Sequence, residues 1–159
     1  MTVLELITVP NPILNQTTNP VVTFDSALSK LVQDMFETMQ HHNGIGLAAP
    51  QVGLLSALFV IGFESHQKEY INPRIIESSK KTRFFEEGCL SIPDVLVRVQ
   101  RPETIVIKAQ TKTGIWFEET LKGIAATVFQ HEYDHLRGVL ILNHGQPQGL
   151  KRDIKSELN

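Results

Sequence analysis

The chain has 159 residues, a formal net charge of −2 and 42% hydrophobic residues. This length fits one domain with a substantial core, and the charge excludes the strong basic excess of a general nucleic-acid binder, so we expect no DNA partner. No apolar run reaches the roughly 20 residues of a membrane span, and no basic stretch precedes an apolar core at the N-terminus, so we expect neither membrane insertion nor a secretory signal. Cys89 is the single cysteine. It excludes an internal disulfide. Without a secretory signal we expect a cytoplasmic location, which would keep Cys89 reduced.

Two helices are predicted. Over residues 27–41, apolar side chains recur at three- and four-residue spacing, and Asp25 precedes them as a possible cap. A second helix is expected over residues 123–137, with Gly138 placed to end it.

Three strands are predicted between the two helices. Residues 57–61 form a short apolar run that indicates a buried strand. Residues 104–110 and 115–121 flank a Thr-Gly turn, which indicates a β-hairpin. The mixture predicts an α+β fold in which the second helix packs among antiparallel strands.

The second helix carries the pattern H-E-x-x-H at residues 131–135. Residues four apart lie about one turn from each other, so His131 and His135 can reach the same cation, while Glu132 can face a water on that cation. This pattern alone occurs in many unrelated proteins, and a hydrolytic site normally takes a third protein ligand.

Cys89 is the candidate third ligand, and three interpretations remain open for it. A lone cysteine is more often a small buried hydrophobe, and it can also be a redox thiol. Its neighbours favour a ligand, because Gly88 permits a close approach beside the thiol and a nearby cation would lower the pKa of the thiol.

The segment 44–51 predicts a fixed polar side chain. Gly44 and Gly46 allow close backbone approaches, and Pro50 restricts the residue before it, so Gln51 can be presented in one pose. A glutamine amide has two N–H donors that can stabilise an oxyanion. The alternative is a turn with a structural glutamine.

One face of the second helix leads to His131. Ile124, Thr127 and Val128 precede it by seven, four and three residues, so they share its face and line either a pocket or the core.

Together these segments resemble a known family. Gly44–Gln51, Glu87–Ser91 and His131–His135 resemble, in order, the three signature motifs of peptide deformylases. Weaker similarity at residues 34–39, 71–73 and 135–139 extends the resemblance from about Val3 to about Leu142.

The resemblance implies a metal-dependent hydrolase that removes the formyl group from the N-terminal formyl-methionine of newly made polypeptides and releases formate. It implies one domain over residues 1–144 with a short tail over 145–159. The implied metal ligands are Cys89, His131 and His135, with Glu132 as general base. Gln51 and the Leu90 backbone N–H would meet the oxyanion. The implied substrate-binding residues are Ile45, Gly46, Leu90, Ile124, Thr127 and Val128.

The resemblance also implies a cofactor and partners. Fe(II) is the expected ion, and Zn, Ni or Co can substitute because thiolate and imidazole ligands suit several metals. The expected partners are formyl-methionyl nascent peptides, and we expect a monomer. The short tail carries three basic residues, Lys151, Arg152 and Lys155. They either make a weak contact with the ribosome or simply form a solvated end of the chain.

Two further hypotheses concern the surroundings of the site. Arg101, Glu87 and Asp134 could form a network that orients the ligand helix against the cysteine loop. The alternative function is an internal peptidase with His144 as third ligand, although His144 lies nine residues past His135 without the glycine turn of such enzymes. A metal-binding module without catalysis is disfavoured, because it needs neither Glu132 nor Gln51.

Overall fold

The structure is a computed structural model that describes residues 2–150. Within them it has two α-helices and eight strands. These are α1 (Ser26–His41), β1 (Gly46–Ala48), β2 (Leu58–Phe63), β3 (His66–Ser78), β4 (Thr82–Cys89), β5 (Ile92–Pro102), β6 (Thr104–Gln110), β7 (Trp116–Lys122), α2 (Ile124–Leu136) and β8 (Pro147–Leu150).

The strands form two antiparallel sheets. One has five strands in the order β1-β2-β3-β6-β7, and the other has three in the order β4-β5-β8. Each strand pair is antiparallel. The predicted α+β class is therefore confirmed.

Alternation along β2 places the five-stranded sheet between the two helices. Phe59 and Ile61 belong to the cluster that contains Phe129 of α2. Leu58 and Val60, on the other face, belong to the cluster that contains the apolar side of α1. A third cluster packs Val95, Val97 and Val99 of β5 against residues from both ends of the chain.

Helix α2 contacts strands of both sheets, and it ends at a left-handed glycine. Gly138 has φ +73, and its N–H donates to the carbonyl of His135 (3.2 Å) while that of Val139 donates to the carbonyl of Asp134 (2.9 Å). These two bonds form a Schellman motif. The predicted end of the helix at Gly138 is confirmed.

The predicted helices and strands are found close to their predicted bounds. Asp25 caps α1 by accepting a hydrogen bond from Leu28 N–H at 3.0 Å. Strands β1, β3, β4 and β5 were not predicted. Strand β8 was not predicted either and lies in the part of the chain assigned to a tail, and the division at residue 144 stays a prediction. No described helix is long and apolar enough to cross a membrane.

Candidate active site

Helix α2 and the end of β4 bring three ligand-type side chains together. His131 and His135 are buried, and their ring centroids lie 5.2 Å apart. Cys89 ends β4 just after a register shift against β5, and its Sγ lies 3.4 Å from His135 Nε2. The ligand atoms of the three residues all lie within 4.8 Å of one another.

These three donors fit one cation. In a tetrahedral site with metal–sulfur and metal–nitrogen distances of about 2.3 and 2.0 Å, the two ligand atoms lie about 3.5 Å apart. The 3.4 Å between Cys89 Sγ and His135 Nε2 is close to that spacing. Elsewhere in residues 2–150, no group of three His, Cys, Asp or Glu side chains could hold an ion. The predicted ligand trio is therefore the group best placed to hold a metal.

The predicted network of Arg101, Glu87 and Asp134 is present and buried. Glu87 Oε1 lies 2.9 Å from His131 Nδ1, so a proton on Nδ1 leaves Nε2 to face a cation. Arg101 donates two hydrogen bonds to Glu87, at 2.7 and 2.9 Å, and one to Asp134 at 2.9 Å. One guanidinium thus ties the cysteine strand to the histidine helix.

Two residues outside the predicted network also contact Asp134. His144 Nε2 lies 2.8 Å from Asp134 Oδ2, and Arg137 donates to Oδ1. Residues 134 and 144 are not related by helical or strand spacing, so the contact between His144 and Asp134 could not be predicted from the sequence. Because His144 is held on Asp134, it is not part of the ligand group, which speaks against the peptidase alternative.

Glu132 lies in a buried space beside β1. Its Oε2 is 3.8 Å from His131 Nε2, and its Oε1 has no hydrogen-bond partner within the described part of the chain. A Cβ on Gly46 would lie 2.5 Å from Oε2, so only glycine lets the carboxylate approach the strand this closely. A buried carboxylate oxygen without a partner is costly, and it is suited to receive a proton from a bound molecule.

Burial and neighbouring charges shift the pKa values of the site. Burial raises the pKa of Glu132 to about 7. Burial alone would lower the pKa of His131, but the adjacent Glu132 carboxylate holds it well above its usual range. Burial, together with the charge on His131, holds the pKa of His135 well below its usual range. His135 is therefore neutral, which is the form that binds a metal, whereas His131 must lose one of its two ring protons before its Nε2 can bind a cation.

Gln51 lies in a short 3₁₀ turn, Ala49–Val52, that follows β1. Its Oε1 accepts the Ala48 N–H at 2.9 Å, and its Nε2 donates to the Ser91 hydroxyl at 3.1 Å and to Cys89 Sγ at 3.6 Å. One of the two N–H donors is therefore committed to Ser91. Only the donor that faces Cys89 is available to a substrate oxygen, where the sequence suggested two.

A cavity of about 740 Å³ opens beside the ligand group. Thr127 and Val128 are buried in its wall, whereas Ile45 and Ile124 are about half exposed. All the predicted substrate-binding residues line it, namely Ile45, Gly46, Leu90, Ile124, Thr127 and Val128.

Other residues that line the cavity were not predicted, among them Phe85, His42 and Leu96. Phe85 had a usable signal, because residues two apart on a strand share a face and Phe85, Glu87 and Cys89 are so spaced. The signal was lost because β4 was not predicted.

Comparison with known proteins relates this site to a family. The sequence profile described as Polypeptide deformylase matches residues 3–151. The chain belongs to the polypeptide deformylase family. As a member of this family, the protein is a metal-dependent hydrolase that removes the N-formyl group from the N-terminal formyl-methionine of newly made polypeptides and releases formate.

Individual deformylases are similar over most of their length. The peptide deformylase of Thermotoga neapolitana is 44% identical over 137 residues, which is 86% of this chain and 84% of that protein. The crystal structure of the Thermotoga maritima enzyme has 42% identity and a TM-score of 0.90, covering 92% of this chain and 100% of that one. A class I type b deformylase from Acinetobacter baumannii, solved with Met-Ala-Ser bound, has 32% identity and a TM-score of 0.87, covering 90% and 98%.

Proposed function

We propose that Cys89, His131 and His135 hold the metal ion of this deformylase and that Glu132 is its general base. The observation that carries the proposal is the buried Glu132 carboxylate. Its Oε2 lies 3.8 Å from Nε2 of His131, one of the three ligand residues, and its Oε1 has no hydrogen-bond partner within the described residues. When bound, the ion supplies a Lewis acid that lowers the pKa of water and polarises the formyl carbonyl.

Glu132 moves the proton that the reaction transfers. Its carboxylate takes a proton from the attacking water and then delivers it to the leaving amine of the peptide. Burial raises the pKa of Glu132 to about 7, and a group that titrates near the working pH serves well in both directions.

Gln51 and Leu90 stabilise the oxyanion that forms when the formyl carbon is attacked. The Gln51 N–H that faces Cys89 and the backbone N–H of Leu90 are the two donors. In other acyl-transfer sites, the loss of one such donor costs about 3 kcal/mol of transition-state stabilisation.

The substrate binds as an added strand beside Gly46, with its methionine side chain in the cavity. Strand β1 lies at the edge of the five-stranded sheet, so its outer side can pair with an extended peptide. Ile45, Ile124, Thr127 and Val128 supply an apolar wall for the side chain. The Acinetobacter baumannii structure with Met-Ala-Ser bound supports a peptide that begins with methionine.

We propose Fe(II) as the working ion, with Zn, Ni or Co as substitutes. A thiolate and two imidazoles accept all of these metals, so the ligand set does not choose among them. Iron in a thiolate site is easily lost when the thiolate oxidises, so metal analysis of protein prepared without oxygen is the relevant measurement.

The proposed setting is the cytoplasm, where newly made polypeptides carry the formyl group, and the proposed state is a monomer. A weak ribosome contact through Lys151, Arg152 and Lys155 falls on residues that lie outside the described part of the chain.

The test is formate release from a formyl-Met-Ala-Ser peptide by protein loaded with Fe(II) without oxygen. Glu132→Gln keeps the size of the side chain but cannot take a proton, so we expect release to fall by about 10²-fold or more while the metal content stays unchanged. Glu118→Gln, on the exposed face of β7, is the matched control. Unchanged release by the Glu132 variant would overturn the assignment of the base.

A further inference from the structure

We propose that Ser91 is a positioning residue for the Gln51 amide and that the N-terminal segment 2–9 acts on the active site through it. This inference rests on the proposed role of Gln51 in meeting the oxyanion. It assigns a function in the reaction to a hydroxyl that does not itself face the substrate cavity.

The hydroxyl of Ser91 is held in one orientation. Ser91 is completely buried, and its Oγ donates to the carbonyl of Ile7 at 2.7 Å. Because the only hydroxyl proton is used there, the oxygen can only accept from Gln51, whose Nε2 lies 3.1 Å away. On the other side of the amide, Oε1 accepts the Ala48 N–H at 2.9 Å. The Ala48 N–H, a donor, thus holds the Gln51 oxygen, and the Ser91 hydroxyl oxygen, an acceptor, holds the Gln51 nitrogen.

The orientation of this amide decides its chemistry. With Nε2 toward Ser91, its second N–H points at Cys89 Sγ, 3.6 Å away, and is directed into the site. A flipped amide would place Oε1 beside the cysteine sulfur and present an acceptor to a developing negative charge. Such an amide would repel the oxyanion instead of stabilising it.

The N-terminal segment holds both partners of this contact. The N–H of Ile7 donates to the carbonyl of Gln51 at 2.7 Å, and that of Val9 donates to the carbonyl of Ser91 at 2.9 Å. Without the Ile7 carbonyl, the Ser91 hydroxyl could turn and donate to Gln51, which would favour the flipped amide. The segment therefore supplies the acceptor that keeps the Gln51 donor directed at the substrate.

The consequence is a change in kcat without a matching change in KM. The oxyanion forms only in the transition state, so a misplaced donor weakens that state and leaves substrate binding largely as it was. A hydroxyl that served stability alone would not show this split.

The experiment is a double-mutant cycle on the metal-loaded enzyme with a formyl-Met-Ala-Ser peptide. Gln51→Ala should lower kcat by about 10²- to 10³-fold, and Ser91→Ala by roughly 10- to 100-fold. In the Gln51→Ala background, Ser91→Ala should cause no further loss, because the residue through which it acts is gone. Ser91→Thr, which keeps the hydroxyl, should retain most of the kcat of the native enzyme.

Thr38→Val is the matched control. Thr38 is also completely buried, and its hydroxyl donates to the carbonyl of Asp34 (2.7 Å) and accepts the N–H of Leu4 (2.8 Å) in the same N-terminal segment. It does not contact Gln51, so its kcat should stay within about twofold of the native value, as expected of an interaction outside the transition state.

A second measurement does not depend on activity. In ¹⁵N-labelled protein, the side-chain NH₂ pair that disappears in Gln51→Ala is that of Gln51. This pair should shift or broaden in Ser91→Ala and stay in place in Thr38→Val, at equal metal content. An unmoved pair in Ser91→Ala would overturn the proposal.

The outcomes separate this inference from the proposed function. If Gln51→Ala leaves kcat unchanged, the role of Gln51 in the proposed function is wrong. If Gln51→Ala lowers kcat but Ser91→Ala does not, or if the two losses multiply in the double variant, the proposed function stands and the positioning role of Ser91 is wrong.

Discussion

Arg101 is the residue on which the buried charges of the site depend. It lies on β5 between Glu87 of β4 and Asp134 of α2, and all three side chains are buried. A buried ion pair contributes little net stability, but removal of one partner leaves an uncompensated charge. Here two carboxylates share one guanidinium. Glu87 in turn holds His131 through Nδ1.

Arg101→Ala should therefore weaken both metal binding and the fold. We expect metal affinity to fall by about 10- to 100-fold, as on loss of other groups that orient ligands. The free energy of unfolding should fall by about 3–5 kcal/mol. Competition with a chelator measures the first quantity and urea unfolding the second. Arg83→Ala is the control, because Arg83 lies opposite Arg101 in the register of β4 and β5 but is exposed and covers Phe85. Equal metal affinity in the two variants would contradict the role of Arg101.

The sequence predicts those site residues that lie at regular spacing along the chain. It does not predict those that come together only when the chain folds. His131, Glu132 and His135 follow from one helical turn. Cys89 and Gln51 were candidates from their neighbours in the sequence, and the resemblance decided among the interpretations left open for them. Ser91 meets Ile7 from 84 positions away along the chain, and no pattern in the sequence links the two. The role of its hydroxyl can be inferred only from the folded structure, in which the N-terminal segment lies between Gln51 and Ser91.

The C-terminal end of α2 is defined by one glycine. Gly138 has φ +73, and a Cβ there would lie 2.5 Å from the backbone C and O of Asn15. A side chain would be strained by the left-handed conformation and would also push the turn Pro12–Asn15 away from the ligand helix.

Gly138→Ala should lower the free energy of unfolding by at least about 2 kcal/mol, of which the left-handed backbone accounts for about 1 kcal/mol. Urea unfolding at a fixed metal concentration measures the loss. Gly145→Ala is the matched control, since a Cβ there meets its nearest atom, on Val97, at 3.6 Å without a left-handed backbone. If the two glycine variants had the same free energy of unfolding, neither the left-handed backbone nor the close contact with Asn15 would limit position 138 to glycine.

The two helices were predictable because their apolar residues follow the helical period. Strands β5 and β4 were not predicted, for different reasons. Along β5, Val95, Val97 and Val99 are buried at every second position, but the next such position is the charged Arg101. Along β4, an edge strand, Glu87 is buried through ion pairing and not through apolar contact. A search for apolar residues at every second position does not detect a strand whose inward-facing side chains are charged.

The site exists because two sheets meet on one helix. The five-stranded sheet supplies β1 and the turn with Gln51, and the three-stranded sheet supplies Cys89, Glu87 and Arg101. Helix α2 contributes the histidines and contacts both. Spacing in the sequence gives the members of the site but not the meeting of the sheets, which depends on contacts between distant segments.

Acid should unfold the molecule through the charged cluster at this junction. Burial alone would raise the pKa of Glu87 and Asp134, but His131 and Arg101 lower that of Glu87, and Arg101 lowers that of Asp134. A carboxyl whose pKa is lower in the folded than in the unfolded state stabilises the fold above the unfolded pKa. That stabilisation is lost as the pH falls through the lower folded value. The window begins near the unfolded pKa, at about pH 4, and extends downward.

Asp134→Asn isolates one of these carboxylates. Below about pH 4, the slope of unfolding free energy against pH should be smaller than in the native protein by up to about 1.4 kcal/mol per pH unit, because one fewer proton binds on unfolding. Urea unfolding of metal-free protein at several pH values gives the slopes and keeps metal release out of the comparison. Glu118→Gln, on an exposed strand face, should leave the native slope nearly unchanged. If Asp134→Asn had the same slope as Glu118→Gln, the acid sensitivity would lie outside the cluster that joins the two sheets.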